Sequence, residues 1–437
     1  MKKNIFSFTM LMIAAVFGGN AALSQITLPN IINTNTVLTS DNVYLIDGKV
    51  FVQGGATLFI EEGTLIKGVK KATPDLASTL VITRTGRLEA NGSPENPIVF
   101  TSSAAVPASG DWGGVVILGS APLNRVDATI EGINGANIPA GVDITYGGGG
   151  AGLGNANENK GTLNYVRIEY AGAIIAPNNE LNGLTGGGVG RGTFIDFVEV
   201  LYGADDAFEF FGGTVNLKHL IALAPDDDAF DFDFGYNGHI QFAVSVLSPN
   251  KTAYSSDPNG NEVDNDATGT AATPRTKPTI SNMTVIGMED STTAGVLGKK
   301  LKSGGNYRRN SSYVIRNSVY MGFPVGMLFE SAGTQADIAN FTNNVVHGFR
   351  AAVTGATPNG TNTLITGEVG FSNETIDLVD PFNPTFPDFR PSGSSPAASG
   401  ANFSGLVGTP ANFFQTTTYR GAFSLSTNWN ATWSRFF

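Results

Sequence analysis

Eight carboxylates crowd a short stretch of this chain: Asp205, Asp206, Glu209, Asp226, Asp227, Asp228, Asp231 and Asp233, against one lysine, Lys218. Acids at that density suit two kinds of chemistry. They can share a hard cation, above all calcium, which takes about six to eight oxygen ligands in flexible geometry. Alternatively, a carboxylate pair can serve as acid and base on a glycosidic bond.

The acids fall into two copies of one phrase. Asp205 recurs as Asp227, Asp206 as Asp228, Phe208 as Phe230, Glu209 as Asp231 and Phe210 as Phe232, each 22 residues on. A period in the low twenties with no helical pattern is what one coil of a parallel β-helix occupies. Within the second copy, Phe230, Phe232 and Phe234 alternate with Asp231 and Asp233, the period of two of a strand with one face buried. Stacked coils would set Glu209 beside Asp231 at about 4.8 Å. Two bare carboxylates that close repel by about 3 kcal/mol at an effective dielectric of about 20. The expected metal ligands are therefore Asp205, Asp206, Glu209, Asp227, Asp228, Asp231 and Asp233. The alternative is that the acids are splayed into solvent, hydrogen-bonded to backbone amides or partly protonated.

A second acidic segment runs from Asp257 to Asp266, with oxygen ligands at alternate positions, and adds Glu262, Asp264 and Asp266 as metal candidates. It is not an EF-hand, because the sixth position is Glu262 rather than glycine and the twelfth is Thr268. Folded back onto the coil bearing Asp231, it would join the first site.

Composition sets the wider frame. The 437 residues include 55 glycines and only 14% charged side chains, which suits many short strands and tight bends rather than a helical bundle. A net charge of −11 makes nucleic acid an unlikely partner. Lys2 and Lys3 precede an apolar run over residues 5–17 and a small-residue site before Gln25, the pattern of a secretory signal peptide over residues 1–24. No later segment reaches the apolar length of a membrane span. The chain has no cysteine, so an exported form must draw stability from core stacking or bound ions.

Residues 31–92 repeat short strands and glycine or asparagine corners, the first coils of a solenoid. The phrases at residues 90–101 (ANGSPENPIVFT), 110–119 (GDWGGVVILG) and 161–172 (GTLNYVRIEYAG) follow. With the two acidic copies and the closing residues 419–423 (YRGAF), Trp429 and Trp433, they give a sequence that resembles secreted right-handed parallel β-helix proteins of Gram-negative bacteria. The resemblance spans nearly the whole mature chain and implies an all-β, pectin-lyase-like solenoid with terminal caps, but no established activity. On this reading residues 25–100 form an N-terminal cap and first coils, 101–350 the β-helix body, and 351–437 a C-terminal cap or strap. The strand-like runs at Val198, Leu220 and Phe242 stand 22 apart. Residues 134–159 and 250–277 should be loops budding from the coils, where binding functions usually sit. Trp429 and Trp433 should seal the last coil.

Catalytic readings have specific requirements. Asp205, Asp206, Asp227 and Asp228 could act as acid and base of a glycoside hydrolase, although neither a Gly-His-Gly nor an Arg-Ile-Lys motif is present. A polysaccharide lyase would need calcium and a base, for which Lys218 is one candidate; Arg167 is better read as an ion-pair partner of Glu199 on the next coil. His219, His239 and His347 lack zinc-ligand spacing, and no Gly-x-Ser-x-Gly elbow occurs. The glycine runs at 147–150 and 186–190 read as solenoid corners. The sequence thus points first to a calcium-stabilised binding protein, exported to the extracellular space, cell surface or periplasm, with a glycan or surface component as partner. The alternatives are a lyase or hydrolase using the same acids, and an accessory partner of an outer-membrane or surface complex.

Overall fold

The computed structural model describes residues 23–133, 137–176, 179–251, 254–255, 257–296, 301–368, 376–383 and 385–436. The signal-peptide reading therefore falls almost entirely outside the described residues. Within them, strands pair in parallel from coil to coil and build three faces of one right-handed β-helix.

One face runs from Ser24–Thr27 through Asn42–Ile46, Leu65–Gly68 and Ile98–Ser102, then along the far halves of Gly161–Glu169, Phe194–Leu201, Asn216–Leu223 and His239–Val246. A second stacks Lys49–Val52, Thr79–Ile82, Gly114–Leu118, Leu184–Gly187, Phe208–Phe211, Phe230–Asp233, Asn261–Val263 and Ser303–Tyr307. The third begins at Thr36–Leu38 and Thr57–Ile60 and uses the near halves of the long strands. Inward residues such as Val198, Leu220, Phe208 and Phe230 are completely buried and form one continuous core. Stacked identical shapes fill it: Phe208 lies 5.3 Å from Phe230, and Phe210 6.2 Å from Phe232.

The long strands turn from third face to first through one left-handed residue. Tyr165, Phe197, His219, Phe242 and Asn282 have φ of +50°, +52°, +45°, +61° and +54°. Their side chains stack along the corner, Tyr165 on Phe197 at 4.4 Å, Phe197 on His219 at 4.2 Å and His219 on Phe242 at 5.1 Å. A left-handed non-glycine residue is strained, and the ring-on-ring contact offsets that strain. This corner corrects two readings. Val198 does pair with Leu220, but Leu220 pairs with Ala243, so the second step is 23 residues and Phe242 belongs to the corner. Phe234 is likewise left-handed at φ +48° and lies outside the inner core, stacked on Phe211 at 5.9 Å, while Tyr236 takes the inner place against Phe232.

Residues 119–160 leave the coil as an excursion with its own hairpin, Ala128–Thr129 against Thr145–Tyr146. It covers an apolar patch on the second face formed by Phe51, Val81, Val116 and Phe211. The C-terminal segment lies along the flank of the first face rather than over the last coil. Trp433 meets Tyr165 and Phe197 edge-on at 5.9 Å, and Trp429 meets His219 at 5.1 Å. Gly186 and Gly187 sit inside a strand, not at a corner: a Cβ on Gly186 would come 2.4 Å from the Phe210 ring, and one on Gly187 2.7 Å from Tyr146.

Candidate metal centre

The acidic rail belongs to the second face. Because Phe208, Phe210, Phe230 and Phe232 are drawn into the core, the acids between them must face outward. Glu209 pairs with Asp231, and Asp231 with Glu262 on the next coil. The second acidic segment is therefore a rung of the same rail, its strand Asn261–Val263 stacked on Phe230–Asp233. Thr185 precedes the row in register with Glu209, and Asn306 follows it in register with Glu262.

A second row runs along the bend that leads into these strands. The Asp206 amide donates to Asn182 Oδ1 at 3.2 Å, the Asp228 amide to Asp206 Oδ1 at 2.8 Å, the Asn259 amide to Asp228 Oδ1 at 2.5 Å and the Ser303 amide to Asn259 Oδ1 at 3.2 Å. Each side chain thus caps the backbone of the following coil. The row uses one oxygen of Asp206 and one of Asp228, leaving the other of each carboxylate to face the rail.

Three groups of carboxylates converge: Asp205 with Asp206 and Asp227, Asp206 with Glu209 and Asp231, and Asp228 with Asp231 and Glu262. In each group the ligand oxygens lie within 4.8 Å of one another. That matches the span across a calcium ion bound at about 2.4 Å. Asp206 links the first two groups and Asp231 the last two. Buried atoms at the same place lack partners: Thr185 Oγ1, Asp231 Oδ1 and Asn306 Oδ1 accept or donate no hydrogen bond. A buried polar atom left unpaired costs about 1–3 kcal/mol, which a ligand on the rail would recover. The acidic cluster can therefore hold a metal ion.

Electrostatics of the bare cluster agree. Burial first, then neighbouring carboxylates, push Asp205, Asp206, Glu209, Asp228 and Asp231 well above the ordinary carboxylate range. Asp227 is pushed up by burial as well, against a 2.5 Å hydrogen bond from Ser255 Oγ. Such a cluster must take up either protons or a cation.

Two members come from elements that carry no acidic motif. Glu131, in the excursion, lies close to Glu209, and burial followed by the charge of Glu180 pushes it up to about 7. Glu180 lies on a short hairpin strand beside it. Both are isolated acids in irregular sequence, so only the folded excursion and this hairpin bring them to the rail.

Other candidates lie apart from the three groups. Asp233 stands at the next outward position, where burial pushes it up to about 8. Asp264 is held by Arg308 at 3.0 Å and Arg309 at 2.8 Å, and Arg308 also pairs with Glu262. The far end of the rail is thus already neutralised by arginine. Asp266 is not on the rail: although burial opposes it, hydrogen bonds from Thr268 and Thr270 within its own turn hold it at about 2. Lys218 is on the third face, where its Nζ donates to the Phe413 carbonyl at 2.8 Å. His219 sits in the aromatic corner with Nδ1 2.7 Å from Asp196 Oδ1, away from the acids it adjoins in sequence. Arg167 does align with Glu199, yet its nearest carboxylate is Glu169 at 3.4 Å.

Three faces of stacked parallel strands with an acidic row on one of them define a right-handed parallel β-helix protein with a cation-competent cluster. The chain belongs to the pectate-lyase-like β-helix domain family, whose sequence profile matches residues 30–377. No curated protein matches it. Among solved structures it is similar to the catalytic domain of a GH87 α-1,3-glucanase in complex with tetrasaccharides, at 12% identity and a TM-score of 0.29. That alignment covers 82% of this chain and 70% of the other. At this distance it carries no argument about activity. Among the described residues, no helix is long and apolar enough to cross a membrane.

Proposed function

We propose that the protein is an exported β-helix binding protein, stabilised by calcium on its acidic rail and directed to a glycan outside the cytoplasm. The observation that carries the cation is the overlap of three carboxylate groups beside three unpartnered buried atoms. Calcium suits an all-oxygen donor set better than zinc or copper. The signal-like N-terminus favours export, and membership in a pectate-lyase-like family favours a saccharide partner.

A glycoside hydrolase is the second reading, supported by buried carboxyls that burial and neighbouring carboxylates raise above the ordinary carboxylate range, the direction a general acid requires. It ranks lower because Asp206 and Asp228 each commit one oxygen to the backbone of the next coil. A lyase ranks lower still, since Lys218 is engaged with the Phe413 carbonyl on another face.

Calcium titration calorimetry and melting in EDTA test the metal. We expect saturable heat, and a midpoint higher in calcium by the equivalent of about 2.7 kcal/mol per site at a hundredfold excess over Kd. No heat and an unchanged midpoint would end the proposal. Incubation with pectins and neutral glycans separates binder from enzyme. Retention without new reducing ends or unsaturated products is expected, and turnover abolished by Asp205→Asn or Asp228→Asn would reverse the ranking.

A further inference from the structure

The C-terminal segment frames a second cavity on the first face, away from the rail. Its last residues are pinned there by ionic contacts. The Arg435 amide donates to both oxygens of Glu199 at 2.9 and 3.2 Å, and Arg435 Nη1 donates to Glu169 Oε2 at 3.2 Å. Arg167 Nη1 donates to the Trp433 carbonyl at 3.2 Å. In front of this frame lies a cavity of about 530 Å³, bounded by Phe386, Pro387, Asn428, Asn430 and Arg435 among others. That volume is within the range of small-molecule sites.

Three features of its wall have no internal explanation. Asn430 is only 3% exposed, yet its Oδ1 has no hydrogen-bond partner, and Asn428 Oδ1 is buried and unpartnered as well. Phe386, 81% exposed, lines the same cavity. Two unpaired acceptors call for a ligand rich in hydroxyl donors. A bare ring calls for a flat apolar surface to stack against it. A pyranose offers both. Arg167 and Arg435 both reach Glu169 and Asp388 pairs with Arg390, so each charged side chain lining the cavity already has an ionic partner.

We propose that this cavity is a saccharide site for a neutral hexose unit, with its ring face on Phe386 and hydroxyls donating to Asn428 Oδ1 and Asn430 Oδ1. The proposal rests on the glycan reading above but assigns the sugar to the strap rather than to the rail. Its test is calorimetric titration of the full chain, in calcium and in EDTA, with cellohexaose, laminarihexaose and mannohexaose, and with hexagalacturonate as the charged comparison. At least one neutral hexasaccharide should bind in both conditions. Phe386→Ala, on an exposed side chain that the fold does not need, should weaken that binding by about tenfold, as should Asn430→Ala. Val106→Ala, at an exposed side chain outside both the rail and the cavity, should leave it within about twofold. Neutral-sugar binding that survives Phe386→Ala but fails with Asp231→Asn on the rail would overturn this site and leave the glycan reading intact. Binding of hexagalacturonate alone would overturn the neutral assignment. Binding of no saccharide would overturn both this site and the glycan reading.

Discussion

Asp206 and Asp228 occupy positions that Asn182 and Asn259 hold in the neighbouring coils, and all four cap the next coil through the same side-chain oxygen. An amide therefore serves the bend as well as a carboxylate does. The acids at these two positions carry a cost that the asparagines do not, because both are buried beside other carboxylates. We expect Asp206→Asn or Asp228→Asn to keep the coil intact and raise the EDTA melting midpoint at pH 8. The amide keeps the capping oxygen and removes the cost of ionising a buried carboxyl beside other carboxylates. The same variants should weaken calcium binding by about tenfold or more. Paired melts and calorimetry decide the matter: a lowered midpoint with unchanged calcium heat would make the two aspartates structural and nothing more.

The strand Leu184–Gly187 shows how an element adapts to its neighbour. Gly186 faces the ring of Phe210, with no room for a methyl group. Gly186→Ala should therefore overpack the core by about 1–3 kcal/mol, whereas Gly360→Ala, with nothing near its missing Cβ, should melt as the parent does. Thermal melts of the two variants check the contrast. The same element marks where sequence reading stops. The repeat of Phe208 and Phe210 as Phe230 and Phe232 carried the coil, its register and the outward acids, because identical residues stack on themselves. The corner left no such trace, and the excursion showed only as the loop-like stretch 134–159, with no sign of the patch it covers. Glu131 and Glu180 reach the rail only through irregular segments, and Gly186 resembles any turn glycine until Phe210 is set beside it. Phe242 and Phe234 look like continuing strands, since nothing in an aromatic side chain announces a left-handed backbone. In the corner that backbone is stabilised by the ring on the next coil.

At the scale of the whole molecule, the proposed cation site should make stability depend on pH and cation together. Asp233 is pushed up to about 8 and Glu131 and Glu262 to about 7, in each case first by burial, against about 4 for an unfolded carboxyl. Between those values the cation-free folded chain holds more protons than the unfolded one, so its stability falls as pH rises. The sign is opposite to that of a protein held by ordinary salt-bridged acids, whose stability is lost on acidification. Calcium would replace the protons and keep the ligand carboxylates ionised, so the loss at high pH should disappear when it is bound. Binding should also expel protons, more near pH 6 than at pH 9. Melts from pH 5 to 9 should show a midpoint that declines in EDTA and stays nearly level in calcium. Calorimetry at pH 6 in two buffers of different ionisation heat should give different apparent enthalpies. A midpoint that climbs from pH 5 to 8 in EDTA, with a binding enthalpy indifferent to buffer, would mean that the rail is already ionised and compensated without an ion.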